Sequence, residues 1–208
     1  MSNSTQPMRS LLFVPGDSER KLSKAEGVAA DVLIFDLEDA VVPDRKAVAR
    51  GLVREYLEAR PQDRSQQLWV RINPLDRAEA GADLGAVMPV RPDGIVLPKT
   101  RSPEDIELLG QRIGHYEAEY DFPVGSTRVL PVATETPQSL FSLGDYARCG
   151  KRLAGLSGGA EDLAAAVGAT AKRVAHGSLT PPYQMVRRLC RFAAHAGGVE
   201  AIDNLWAN

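Results

Sequence analysis

Six short apolar runs recur along the chain, over residues 10–15, 31–37, 67–72, 94–98, 129–135 and 153–156. Each is continuous rather than alternating in hydrophobicity, and nearly every one ends at a charged or polar residue. A strand that is apolar along its whole length is buried on both faces, which is the condition of a parallel sheet covered by helices. The segments between the runs carry helical spacing instead. Strand and helix therefore alternate, and the chain reads as α/β with a parallel sheet. Such a sheet closes in one of two ways, as an open doubly wound layer or as a (β/α)8 barrel of the TIM type. No G-x-G-x-x-G follows the first run, which argues against a dinucleotide-binding open sheet. Polar residues gathered after many different strands are the habit of barrels. A barrel is the expected architecture.

The turn at Gly16-Asp17-Ser18 leads into the first helix, with Asp17 or Ser18 as its N-cap. A second helix is expected over 45–59, with Val48, Leu52, Tyr56 and Leu57 toward one side. Further helices are expected over 84–88, 103–120, 139–148, 163–167 and 182–196, and a seventh strand over 199–202. Residues 1–8 read as a disordered polar tail and 9–208 as one barrel domain. A barrel of this kind takes about 250 residues, so a chain of 208 is expected to lack the last βα unit and a C-terminal lid.

Composition excludes little but sets the class. The hydrophobic fraction is 44%, the charged fraction 25% and the formal net charge −2. That balance is ordinary for a globular domain and gives no argument for nucleic acid or an anionic membrane. No apolar run approaches the ~20 residues of a membrane span, and the first residues lack a signal-peptide core. The cytoplasm is the expected location. Cys149 and Cys190 have neither metal-site spacing nor a disulfide framework, and read as free thiols.

Glu135 and Asp162 follow the fifth and sixth strands. Two carboxylates at the same ends of neighbouring parallel strands can share a hard divalent cation such as Mg2+, which accepts one or two carboxylates and keeps its other positions for water and substrate oxygens. The competing reading is an acid pair serving helix N-termini. Arg71 stands in an apolar strand, where a charge is costly unless paired. Its fork suits a carboxylate, and an internal pair with Glu38 or Asp39 is compatible with that role. Asp36, Glu38 and Asp39 crowd one strand end, with Asp36 and Glu38 on one face if the strand runs that far. One of them could serve as a general base, or they could support Arg71 and Lys99. Arg20 and Lys24 are one helical step apart and share a face. They either meet phosphates or form a solvated surface. Lys99 reads as an ion-pair partner rather than a Schiff base. His115, His176 and His195 read as surface residues.

Six motifs in order carry a family resemblance: Arg9-Ser-Leu-Leu-Phe-Val-Pro-Gly16, Phe35-Asp-Leu-Glu-Asp-Ala-Val41, Val70-Arg-Ile-Asn73, Val96-Leu-Pro-Lys99, Glu135-Thr and Gly159-Ala-Glu-Asp-Leu163. The chain resembles the citrate lyase beta subunit-like proteins of the HpcH/HpaI aldolase family, which are phosphoenolpyruvate/pyruvate-type barrels. The resemblance implies a Mg2+-dependent carbon–carbon lyase acting beside a carboxylate or thioester, on substrates of the citryl-CoA or malyl-CoA type. It implies that Glu135 and Asp162 hold the metal. It implies that Arg71 binds a substrate carboxylate or carbonyl oxygen, and it matches Arg20 and Lys24 to basic positions of acyl-CoA members. Arg71, Glu38 and Asp39 are the candidate catalytic residues, and Arg71, Glu135, Phe13, Arg20 and Lys24 the candidates against substrate. Phe13 stands where some acyl-CoA members carry tyrosine. Two alternatives remain beside it: a 2-oxo-acid aldolase that uses no CoA, and a catalytically reduced CoA-ester-binding subunit. The resemblance also implies a homotrimer or hexamer. An apolar stripe of Met185, Val186, Leu189, Phe192 and Ala193 is expected to pack mostly on the sheet, with the segment 199–206 near a subunit contact.

Overall fold

In the computed structural model, residues 7–62 and 64–203 are described. Strands and helices alternate, as the sequence pattern requires, and the chain groups into two compact units. One unit comprises Met1–Val96 and Tyr116–Thr127, the other Leu97–His115 and Arg128–Asn208.

In the first unit β1 (Leu11–Pro15), β2 (Val32–Asp36), β3 (Gln67–Arg71) and β4 (Gly94–Leu97, its last residue counted with the second unit) follow in sequence order, each parallel to the one before. All five residues of β2 are buried, the condition its uninterrupted apolar sequence predicts. The register sets Asp36 opposite Arg71 and Trp69 opposite Gly94. The second pairing depends on glycine. A Cβ at Gly94 would lie 2.4 Å from the ring of Trp69, which is itself fully buried. No larger residue fits unless the indole moves.

Ser18 caps α1 (Glu19–Ala25), accepting from the Lys21 amide. Leu22 and Ala25 turn inward, while Arg20 and Lys24 are exposed. In α2 (Lys46–Glu58) the buried face is Ala49, Val53, Tyr56 and Leu57. Val48, expected on that face, is 42% exposed instead, because a stripe through Ala49, Val53 and Tyr56 lies one residue round the helix from it. α3 (Glu79–Val87) begins earlier than expected and buries Ala80, Asp83, Leu84 and Val87.

In the second unit the Val132 amide donates to the Leu97 carbonyl at 2.8 Å. β5 (Arg128–Pro131) is bridged in parallel to the next segment through Val129–Leu153 and Val132–Ser157. β6 (Gly155–Ser157) pairs in parallel with β7 (Glu200–Ile202), so the seventh strand is present. α4 (Pro103–Glu119) contributes Ile106, Leu109 and Ile113 to this unit's core. The helix expected over 139–148 is not continuous. It divides into α5 (Pro137–Leu140), capped by Thr136, and a 3-10 segment, Leu143–Arg148. Helical spacing alone does not separate these two backbones. α6 (Ala160–Ala166) and α7 (Pro181–Ala196) complete the unit.

α7 splits its apolar residues. Tyr183, Val186, Cys190, Ala193 and Ala194 are buried, with Tyr183 and Val186 packed against Leu163. Met185, Leu189 and Phe192 are 56%, 40% and 66% exposed. The expectation that most of the stripe packs inward is therefore corrected. Val186 and Ala193 do, and the other three form a second face. Leu205 and Trp206 lie outside the described residues, as do residues 1–6 of the expected polar tail, whereas Met8 is buried. Cys149 and Cys190 are free, and burial pushes their thiols up to about 11 and about 12. No helix among the described residues is long and apolar enough to cross a membrane.

At the start of β1, Arg9 clasps Asp31. Its Nε donates to Oδ2 at 3.1 Å, its Nη2 to Oδ1 at 2.9 Å, and its amide to Oδ2 at 3.0 Å. The side-chain hydrogen bond from Arg9 is the main cause that lowers the Asp31 carboxyl to about 2. A carboxylate depressed in the folded state stabilises above its unfolded value of ~3.9 and loses that contribution as pH falls through the folded value. Arg9→Ala is expected to return the Asp31 titration toward the ordinary range. It should also remove the part of the acid-stability slope between pH ~4 and about 2. A carboxyl carbon NMR titration and urea unfolding across that window measure both.

Candidate active site

Two clusters of charged residues form at strand ends, one in each unit. In the first unit the centre is Arg71, the last residue of β3. Its Nε donates to Asp36 Oδ1 at 2.8 Å and its Nη2 to Asp36 Oδ2 at 2.5 Å. Its Nη1 lies 3.1 Å from Glu38 Oε2. The guanidinium also stacks over the Phe13 ring at 4.9 Å, a cation–π contact. Asp36 also accepts the amides of Glu38 (2.9 Å) and Ala40 (3.1 Å). Its acceptor positions are thereby used on the turn and on Arg71, which makes it an orienting group. The sequence expected Glu38 or Asp39 as the arginine's partner. The main partner is Asp36, because the β2–β3 register places it directly opposite. Glu38 is the second, and both are buried. Asp39 is exposed, in the turn that follows β2.

A buried polar network behind this cluster was not anticipated. Lys46, the first residue of α2, donates from Nζ at 2.8 Å to each of the Leu37 carbonyl, the Glu38 carbonyl and Asn73 Oδ1. Asn73 Nδ2 donates to the Leu37 carbonyl at 3.0 Å and to Asp83 Oδ2 at 2.7 Å, and its amide donates to the same oxygen. Arg50 Nε meets Asp83 Oδ1 at 2.7 Å. Asp83 is fully buried on α3, so its charge depends on these partners. The network ties the ends of β2 and β3 to α2 and α3, fixing the turn that carries Glu38. The only sequence signal is a lysine at a helix start, where the dipole disfavours it, and a lone Asp in a helix otherwise apolar on its inner face.

In the second unit Glu135 and Asp162 converge on Lys99. Glu135 is buried four residues past the end of β5, and its Oε2 accepts the Lys99 amide at 2.5 Å. The Lys99 ammonium lies 3.5 Å from Asp162 Oδ1, in the first turn of α6. Lys99 itself takes a φ of +52°, a left-handed conformation that a side chain with a Cβ rarely adopts. Gly159, immediately before α6, completes the cradle. A Cβ there would lie 2.2 Å from Glu135 Cγ and 2.9 Å from its Oε1. The Gly159 amide donates to Thr134 Oγ1 at 3.0 Å, and Thr136 Oγ1 donates to the Thr100 carbonyl at 2.8 Å. The expected ion-pair role of Lys99 is thus present, while Gly159, Thr134 and Thr136 enter as supports visible only in three dimensions. Among the described residues no group of three or more His, Cys, Asp or Glu is arranged to hold a metal. The donor set is two carboxylates, one buried and one at a helix N-terminus. It fits Mg2+, which needs no more from the protein.

Arg20 and Lys24 remain exposed on α1, and His115, His176 and His195 are exposed as expected. Residues 9–208 match the HpcH/HpaI aldolase/citrate lyase family. The chain belongs to this family. Among curated relatives, a (3S)-malyl-CoA thioesterase of Cereibacter sphaeroides is 34% identical over 208 residues, covering 99% of this chain and 66% of that protein. The citrate lyase subunit beta of Escherichia coli K12 is 32% identical, covering 98% of this chain and 65% of that protein. The chain therefore spans about two thirds of the length of the curated relatives it matches. Among solved structures, the CitE protein of Mycobacterium tuberculosis in complex with magnesium and acetoacetate matches with a TM-score of 0.79 and 30% identity, over 95% of this chain and 73% of that one. The same protein with magnesium, acetoacetate and coenzyme A matches at 0.76 and 29% identity, over 97% and 68%.

Removing one partner from a buried ion pair leaves an uncompensated charge, at a cost of roughly 3 kcal/mol or more. Arg71→Met is expected to lower unfolding stability on that scale, since Asp36 and Glu38 are both buried. Urea denaturation measures it.

Proposed function

We propose that this protein is a Mg2+-dependent carbon–carbon lyase acting next to a carboxylate or thioester, on a CoA ester of the citryl or malyl type. The observation that carries this reading is the convergence of Glu135 and Asp162 on Lys99, with Gly159 leaving room for the Glu135 side chain. The neighbouring CitE complexes hold magnesium, and one also holds coenzyme A. Glu135 and Asp162 would hold the metal, which when bound supplies Lewis-acid stabilisation of charge developing on a carbonyl oxygen. Asp36 holds the Nε/Nη2 edge of Arg71 and Glu38 lies beside Nη1, so a substrate carboxylate would meet the remaining Nη hydrogens. Phe13 keeps the guanidinium face dry on one side. Glu38 pairs with Arg71, so we assign it to orientation, and we assign proton exchange with substrate to Asp39 in the exposed turn after β2. Arg20 and Lys24, exposed on one face of α1, would meet CoA phosphates.

A second reading is hydrolysis of the thioester, favoured by the relatives named malyl-CoA thioesterase. The products separate the two. An acyl-CoA fragment with an oxo acid marks carbon–carbon cleavage, and free CoA thiol marks hydrolysis. We also propose a cytoplasmic homo-oligomer, trimeric or hexameric, whose contact includes the exposed Met185, Leu189 and Phe192 of α7.

Calorimetric titration with MgCl2 is expected to show binding to the wild type and none to Glu135→Ala. Equal binding by the variant would reject the metal assignment. CoA is expected to raise the thermal midpoint, as any ligand of the native state does. An unchanged midpoint would favour an aldolase that uses no CoA. Sedimentation at low micromolar concentration is expected to show the assembly, and a stable monomer would exclude it.

A further inference from the structure

Lys99 is unusual twice over. Its backbone sits at φ +52°, and its two polar ends serve two different acids, the amide reaching Glu135 and the ammonium reaching Asp162. A left-handed residue with a Cβ is strained, and Gly or Asn normally takes such positions. Here the strained turn is what aims the amide at Glu135. A buried carboxylate needs such a donor. The ammonium end is different. Lys99 and Asp162 side chains are 33% and 32% exposed, so their attraction is weakened by solvent. The flexible four-carbon stem lets the ammonium leave without moving the backbone.

We propose that Lys99 is a built-in counter-cation for the Glu135–Asp162 pair, and that a divalent cation binds by displacing its ammonium from Asp162. The inference rests on the reading of these two acids as metal ligands. Without metal, the lysine compensates Asp162 with its ammonium and satisfies Glu135 with its amide. With metal, the ammonium and the divalent ion compete for the same oxygen, so the protein's own lysine sets the metal affinity below what the two acids alone would give. The hydrogen bond that the Lys99 amide donates to Glu135 is untouched by the exchange, because its donor belongs to the backbone.

The test compares wild type with Lys99→Met. Methionine keeps the length of the stem and the same backbone strain, so the comparison isolates the charge. Calorimetry with MgCl2 alone is expected to show binding about tenfold tighter in Lys99→Met, the scale of one displaced unit charge at partial exposure. In chelator the variant is expected to melt at a lower temperature than wild type, and saturating Mg2+ to raise its midpoint by more than it raises the wild type's. Lys99→Gln, uncharged with a stem nearly as long and the same backbone strain, gives the same comparison if the methionine variant does not fold. Equal or weaker Mg2+ binding in the folded variant overturns the proposal. Glu135→Ala separates the two levels. If it abolishes Mg2+ binding while Lys99→Met leaves affinity unchanged, the metal site stands and the counter-cation role falls. If wild type binds no Mg2+, the metal reading itself fails and this proposal with it.

Discussion

A parallel strand buried on both faces has no place for a polar side chain except its ends, and the rest of this structure depends on that constraint. β2 buries every one of its residues up to Asp36. The charged groups must then collect at the strand termini, where neighbouring strands in register bring them together whether or not they are close in sequence. Asp36 and Arg71 are 35 residues apart in sequence and directly opposite in the sheet. Their pairing follows from register, and the same register carries the Leu37 amide to the Arg71 carbonyl at 2.9 Å. The strand end is thus fixed by backbone and side chain at once.

Such an arrangement is sensitive to what stands behind it. The turn bearing Glu38 is held from below by the Lys46 ammonium, which gathers two of its carbonyls, and by Asn73, which Asp83 and Arg50 hold in turn. A charge network that is fully partnered gives a single geometry, whereas a half-partnered one is costly. The carboxylate that meets Arg71 is therefore positioned by residues on two helices that touch neither it nor the guanidinium. In the second unit the equivalent work is done by close approach. Gly159 lets Glu135 pass over the start of α6, and the left-handed turn at Lys99 brings an amide to its oxygen. One cluster is built by a hydrogen-bonded scaffold, the other by the absence of a side chain and a strained backbone.

The family membership and the geometry bear on different levels of the function. Likeness to citrate lyase beta subunits and to malyl-CoA thioesterases establishes the family. The geometry bears on which residues can take which part. An Asp36 already accepting four hydrogen bonds is an orienting group, whereas Asp39 stands exposed in the turn that follows.

The sequence by itself determined the α/β class, the order and approximate position of the strands, the acids and the arginine at their ends, and the exposed histidines. These are properties of hydrophobic period and of residues that cannot be buried alone, and both are local. Only the tertiary structure decided that Asp36 pairs with Arg71 across the sheet, that Val48 faces outward while Ala49 and Val53 face in, and that the helix expected after Glu135 breaks into α5 and a 3-10 segment. It also decided that the stripe on α7 divides into a buried and an exposed face. Register, helix phase and the room beside a glycine depend on which segments lie next to each other, and no window of sequence contains its own neighbours.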